Sequence, residues 1–239
     1  MARHRENFYR LIEDNLHRLQ QKIISCKKCL RLVKYLNEIN KKYPDYWCKP
    51  VPSFGDPEAK ILIVGLAPGR FGSNRTGRMF TGDASGKFLY KTLHDVGLCN
   101  KANAANINDG LVLKNCYITA MARCAPPQNK PTPKELKNCF PYFVKEIDLL
   151  KKAKVVVTLG KIAFDGYLKW LFNPKLQTAS YKLRKKNFKF SHGAIYKLEN
   201  SPHILIASYH PSRQNTQTGR LTSKMFRQIF LMAIKYCYQ

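Results

Sequence analysis

Spaced cysteines and three polar loops hold the residue types that can do chemistry in this chain. Cys26 and Cys29 form a C-x-x-C pair, a spacing that lets two thiolates reach one metal centre. Cys124 ends an apolar run just before Ala125-Pro126-Pro127, and Cys139 falls on the segment expected to be the next helix. A strand end and the following helix can meet, which brings the thiol number to four. Four thiolates suit zinc or an iron–sulfur cluster, and their spacing does not choose between them. Cys48 competes for a ligand place, whereas Cys99, Cys116 and Cys237 are scattered, and Cys116 reads as a small core residue.

The first loop begins Gly65-Leu66-Ala67-Pro68-Gly69, where glycine and proline set a tight turn and let backbone amides approach a ligand. It lacks the spacing of the common phosphate loops. Its continuation to Asp83 carries Arg70, Arg75, Arg78, Phe80 and one carboxylate, a set suited to a flat ligand beside an anion. The last loop carries His210, locked by Pro211, then Ser212, Arg213, Gln214, Asn215 and Arg220. Small polar and basic residues of this kind follow a DNA backbone by hydrogen bonds.

These loops need elements that aim them at one place. Four short apolar runs rich in β-formers, Lys60–Gly65, Cys116–Ala120, Lys154–Leu159 and His203–Ser208, read as strands buried on both faces. Helical segments are expected over Asn7–Asn40 with a break at Ser25–Cys29, over Ser85–Val96, from Pro133 to about Lys151, on to about Phe172 after Gly160, and from about Thr222 to Tyr236. Strands alternating with helices predict an α/β fold, a three-layer α/β/α domain around a mainly parallel four-stranded sheet. The whole chain, 1–239, reads as one domain, with a basic insert at about 175–192 taken as a loop on the nucleic-acid side. In such sheets ligands sit beyond the carboxyl ends of the strands. The loops Leu66–Asp83, Met121–Pro131 and Tyr209–Thr222 all leave from those ends.

Charge points to the partner. The 42 Lys and Arg against 15 Asp and Glu give a formal net charge of +27. Self-repulsion on that scale favours an anionic partner, and nucleic acid is the commonest one. No apolar run spans a bilayer, and the charged N-terminal segment lacks a signal-peptide core, so the protein is expected inside the cell, off the membrane and monomeric. Disulfides are not expected there despite eight cysteines. A magnesium nuclease would show clustered carboxylates, and the loops offer only Asp83.

The stretches GLAPGRFGSNRTGRMFTGD, Cys124-Ala-Pro-Pro with Cys139, and HPSRQNTQTGRLT together resemble the iron–sulfur uracil-DNA glycosylases, most closely the type b branch, or family five. The resemblance runs from about Cys26 to the terminal helix. It implies removal of uracil from DNA by hydrolysis of the N-glycosidic bond, leaving an abasic site, with hypoxanthine, xanthine and etheno-cytosine as further substrates. It implies a [4Fe–4S] cluster on Cys26, Cys29, Cys124 and Cys139. It carries over Asp83, His210 and Asn129 as catalytic residues and Phe80 as the ring that stacks on the base. Gly65, Leu66, Ala67, Pro68 and Gly69 would bind the base edge. Arg75, Arg78, Ser212, Arg213, Gln214, Asn215 and Arg220 would contact DNA. Other branches place a water-activating polar residue where this chain has Leu66-Ala67. The alternative from another class is a non-catalytic nucleic-acid-binding protein with a structural metal site.

Overall fold

A computed structural model describes residues 2–173, 187–197 and 201–239. Two helices open the chain, α1 (Ala2–Ile24) and α2 (Leu30–Lys42), and the predicted break at Ser25–Cys29 separates them. The strands are β1 (Phe54–Gly55), β2 (Ile61–Gly65), β3 (Cys116–Ala120), β4 (Val155–Leu159), β5 (Ile195–Lys197) and β6 (Ile204–Ser208). Between and after them run α3 (Ser73–Thr76), α4 (Ala84–Asp95), α5 (Pro133–Leu149), α6 (Lys161–Leu171), α7 (Arg213–Gln217) and α8 (Ser223–Cys237).

The sheet order is β1-β3-β2-β4-β6-β5. The four predicted strands form its parallel centre, β3-β2-β4-β6. The expectation of four strands is corrected to six among the described residues, because two short antiparallel strands pair with the edges. Two and three residues long, they are too brief to show a period of their own. They occupy edge hydrogen-bonding groups that would otherwise stay open.

Alternation along each central strand divides the core in two. Ile61, Ile63, Ile118, Val155, Val157 and Ile206 face α4 and α8, with Leu89, Phe226 and Phe230 behind them. Leu62, Val64, Tyr117, Val156, Leu205 and Ala207 face the other way, onto α1, α5 and α6. The result is the three-layer α/β/α arrangement. A third cluster gathers Leu32, Leu36 and Ile39 of α2 around Cys124 and Ala125. Among the described residues no helix is long and apolar enough to cross a membrane.

Most of the basic insert lies outside the described residues. Its described end is tied down: Phe188 and Phe190 pack on the second core layer. Phe188 meets Phe172 at 5.5 Å and Tyr196 at 4.9 Å between ring centroids. That end is therefore an aromatic-anchored lead into β5 rather than a free loop.

Candidate active site

The carboxyl ends of the parallel strands hold the site. Backbone bonds carry the sheet past its formal end: Met121 N donates to Gly65 O at 3.0 Å, Ala122 N to Leu66 O at 2.9 Å, and Gly160 N to Ser208 O at 2.8 Å. The three predicted loops leave from this braced rim and enclose a cavity of about 410 Å³. Gly65, Leu66, Ala67 and Gly69 form one wall. Phe80 and Asp83 close a second side, and His210, Ser212 and Gln214 a third. Asn129 and Gln128 come from the middle loop. Pro68 is buried behind the wall and does not line the cavity.

Each of the central side chains is held in place. The Phe80 backbone N donates to Ser73 Oγ at 2.9 Å. Its carbonyl passes so close to Gly86 that a Cβ there would stand 1.7 Å away. The Phe80 ring lies against Gly65 and stacks on the His210 ring, 5.8 Å between centroids at 29°. Asp83 caps α4, its Oδ1 accepting from Gly86 N at 2.9 Å. Its Oδ2 is wrapped by backbone: a Cβ on Gly72 would lie 2.1 Å from it, and one on Gly69 3.0 Å. The glycines of this loop therefore make room for a carboxylate. His210 anchors the last loop through its carbonyl, which accepts from Asn215 Nδ2 at 2.8 Å. Burial pushes the His210 imidazole down to about 4, so the ring is neutral at pH 7.

Five non-glycine residues adopt a left-handed backbone among those described, and Phe80, Gln128 and Asn129 are three of them, with φ of 53°, 54° and 57°. Such conformations cost on the order of 1 kcal/mol or more each and persist only where the surroundings impose them. Their gathering around one cavity marks it as built for a ligand.

The predicted DNA contacts separate into two groups. Arg213, Gln214 and Arg220 are exposed around α7, with Ser212 and Asn215 half-buried beside them. Arg220 lies over the Tyr209 ring at 4.6 Å. One expectation needs correction. Arg78 is only 3% exposed and forks onto Asp109 at 2.9 and 2.7 Å, so it braces the loop from inside and does not meet a phosphate. Arg75 is half-buried and donates to the backbone carbonyls of Phe71 at 3.0 Å and Gly82 at 3.1 Å, which ties the loop to itself and leaves further N–H groups on the same guanidinium. The residues that sequence reasoning passed over are Ser73, Gln128 and Ser85 in the cavity wall, while Arg70, read there only as one of the loop's arginines, lines the adjoining groove. Arg70 and Ser73 stand within the glycine-rich loop, where only position separates a lining residue from a brace.

The four paired cysteines share one neighbourhood. Cys29 sits at the N-terminal end of α2 and Cys139 on α5. Arg31 joins the two helices by a fork onto Glu135, both contacts at 2.8 Å. Glu135 in turn completes a capping box with Thr132. Asn138 Nδ2 donates to Cys29 Sγ at 3.4 Å. Burial raises the Cys124 thiol well above its ordinary value, and Cys139, Cys26 and Cys29 each add to that rise by their charge. The four side chains that influence one another here are all thiols, the donor chemistry an iron–sulfur cluster uses. Among the described residues no three His, Cys, Asp or Glu side chains stand where they would hold a single metal ion. Cys48 lies in the same cavity wall as Cys26 and Cys124, and its sulfur accepts from Asn74 Nδ2 at 3.7 Å. Cys99, Cys116 and Cys237 donate to backbone carbonyls as ordinary core thiols.

Beneath this region Arg123, 1% exposed, forks between Glu146, Ser53 and Thr119. Ser53 and Thr119 each donate to Glu146 at 2.6 Å, so the buried carboxylate is fully partnered.

Comparison with known proteins agrees with this geometry. Residues 52–232 match the family model described as the uracil DNA glycosylase superfamily. A type-5 uracil-DNA glycosylase of Thermus thermophilus is 49% identical over 218 residues, covering 89% of this chain and 94% of the relative. Type-5 enzymes of Mycobacterium leprae and Pyrobaculum aerophilum are 41% and 38% identical, covering 91% and 89% of this chain and 93% and 89% of theirs. A type-4 uracil-DNA glycosylase of Sulfurisphaera tokodaii is 28% identical over 226 residues, 92% of this chain and 86% of its own length. With a base-sized cavity at the strand ends and the family match across the whole sheet, the chain belongs to the uracil-DNA glycosylase superfamily, in its type-5 branch.

Proposed function

We propose that this protein is a monofunctional, monomeric DNA repair glycosylase that excises uracil from DNA and leaves an abasic site. The observation that carries this reading is the cavity in which the Phe80 ring, the neutral His210 ring and the Asp83 carboxylate face one volume. A base within a duplex is hidden, so it must rotate out of the stack at a cost of about a few kcal/mol. Uracil opposite guanine is poorly paired and costs less. The extruded base stacks on Phe80, with backbone groups of Gly65–Gly69 along its edge. Arg213, Gln214, Asn215 and Arg220 hold the strand.

In the reaction the C1′–N1 bond breaks and its electron pair leaves with the base. The sugar becomes oxocarbenium-like, water adds at C1′ and loses a proton, and the departing uracil anion is finally protonated. His210, neutral and N–H bearing, donates to a uracil oxygen and stabilises the anion as an oxyanion-hole donor does. Asp83 and Asn129, at the mouth of the cavity, hold the water or offset the positive sugar. No lysine is marked as a Schiff-base nucleophile. The cavity volume and its small Ala67 and Gly69 wall support hypoxanthine, xanthine and etheno-cytosine as further substrates.

Cys26, Cys29, Cys124 and Cys139 would hold a [4Fe–4S] cluster, which would supply a cross-link between α2, α5 and the end of β3 and no redox step. Its support is the shared electrostatic neighbourhood of the four thiols.

Labelled duplexes with one uracil opposite guanine or adenine test the activity. Strand scission only after alkali is the expected result. No scission, with salt-sensitive binding intact, would instead favour the non-catalytic binding protein. His210→Ala should lower excision by about 10²–10³-fold with DNA binding retained; turnover near wild type would remove His210 from the mechanism.

A further inference from the structure

We infer that a groove beside the base cavity binds a second nucleotide of the damaged strand, its base stacked on Phe71 and its phosphate on Arg70. This rests on the glycosylase reading above. The groove has a volume of about 670 Å³ and shares Gly69, Asp83, Ser85, Gln128 and Asn129 with the base cavity. One strand can therefore run through both without a break. Arg70, Phe71, Tyr35 and Arg213 line it as well.

Phe71 is 53% exposed, although Met79 and Phe80 of the same loop are buried. Its ring is backed edge-on by Tyr43 at 6.2 Å, and Tyr43 is itself stacked on Tyr46 at 4.7 Å. The Arg70 guanidinium lies over the Phe71 ring at 4.8 Å. Its Nε is shielded from solvent yet has no hydrogen-bond partner. The backbone beneath both side chains is fixed, with Arg75 Nε on Phe71 O at 3.0 Å and Asn74 Nδ2 on Arg70 O at 3.4 Å. An exposed ring beside a guanidinium offers one unpaired nucleotide a face for its base and a partner for its phosphate. The chain's net charge of +27 favours the same occupant.

The test uses oligonucleotides carrying 2′-fluoro-2′-deoxyuridine, whose fluorine slows base departure, with 5-iodocytosine on its 5′ or 3′ side. Irradiated complexes are digested and the crosslinked peptide is mapped. From one of the two flanks the crosslink is expected at Phe71, and it should vanish in Phe71→Ala. On ordinary uracil DNA, Phe71→Ala should raise KM about tenfold with kcat within twofold, and Phe71→Trp should restore KM. Arg70→Met should reduce the salt slope of binding by about one. Crosslinks only at other residues, or an unchanged KM in Phe71→Ala, would overturn the assignment. Excision by the wild-type protein in the same preparation keeps the two readings apart. Failure there sinks the glycosylase reading, whereas the crosslink reports on the groove alone.

Discussion

At the scale of single residues, the site depends on side chains placed by backbone that has no freedom. His210 is the clearest case. Because burial holds its pKa at about 4, it would enter the proposed reaction neutral and need no proton from solution to donate one hydrogen bond. Single-turnover excision should then be flat within about twofold from pH 5.5 to 8.5 as far as His210 is concerned. A one-proton inflection near 6.5 would contradict this placement. His210, Phe80 and Asp83 were legible in the sequence because they stand in dense motifs next to predicted strand ends. Arg78 was not. It sits in the same motif, but its role is decided by Asp109, 31 residues further on in an unmarked turn. Sequence shows that an arginine is near a site, not whether a carboxylate has already claimed it.

At the scale of elements, two devices aim the site. Asp83 ends one loop and begins α4, so the residue facing the cavity also fixes the helix start. Arg123 follows β3 and locks it to α5 through Glu146. Glu146→Gln keeps the shape but leaves the Arg123 charge uncompensated in the interior. It should destabilise the fold by about 3–5 kcal/mol, read as a lower midpoint in urea. An unchanged midpoint would mean that Ser53 and Thr119 suffice to hold Arg123. The four central strands were readable from their β-branched runs, and the helix starts from Thr132-Pro133 and Thr222. The edge strands were not, since β1 and β5 owe their geometry to the neighbours they pair with and not to any pattern of their own.

At the scale of the whole molecule, charge and acid set the working range. Arg70, Arg213 and Arg220 remain on the surface facing the proposed strand, so DNA affinity should fall steeply with salt. A log–log slope of magnitude about three or more is expected by titration from 50 to 200 mM salt, and a slope near zero would refute an electrostatic interface. His203 is buried against Tyr167 and Trp170, and burial holds it down to about 4. The unfolded chain binds that proton at about 6.5. The stability tied to its neutral form is thus complete above pH 6.5 and declines as pH falls toward 4, by up to about 3 kcal/mol. Thermal unfolding at pH 7 and pH 5 should show a lower Tm at the acidic value. The α/β order and the basic character were plain in the sequence, whereas the brace from His192 to the last loop was not. There the Tyr209 N donates to His192 Nδ1 at 3.2 Å, across a stretch with no pattern to read.

The backbone wrapped around the Asp83 carboxylate also bears on how this enzyme can diversify. Gly72 has no space to acquire a side chain, Gly86 has none beneath Phe80, and at Gly69 a Cβ would press on the carboxylate at 3.0 Å. This corner of the cavity is therefore frozen against gradual change. Leu66, Ala67 and Ser85 line the same cavity. Evolutionary drift in which damaged base is accepted should thus be confined to those few wall positions, leaving the chemistry intact while the shape of the acceptable lesion shifts.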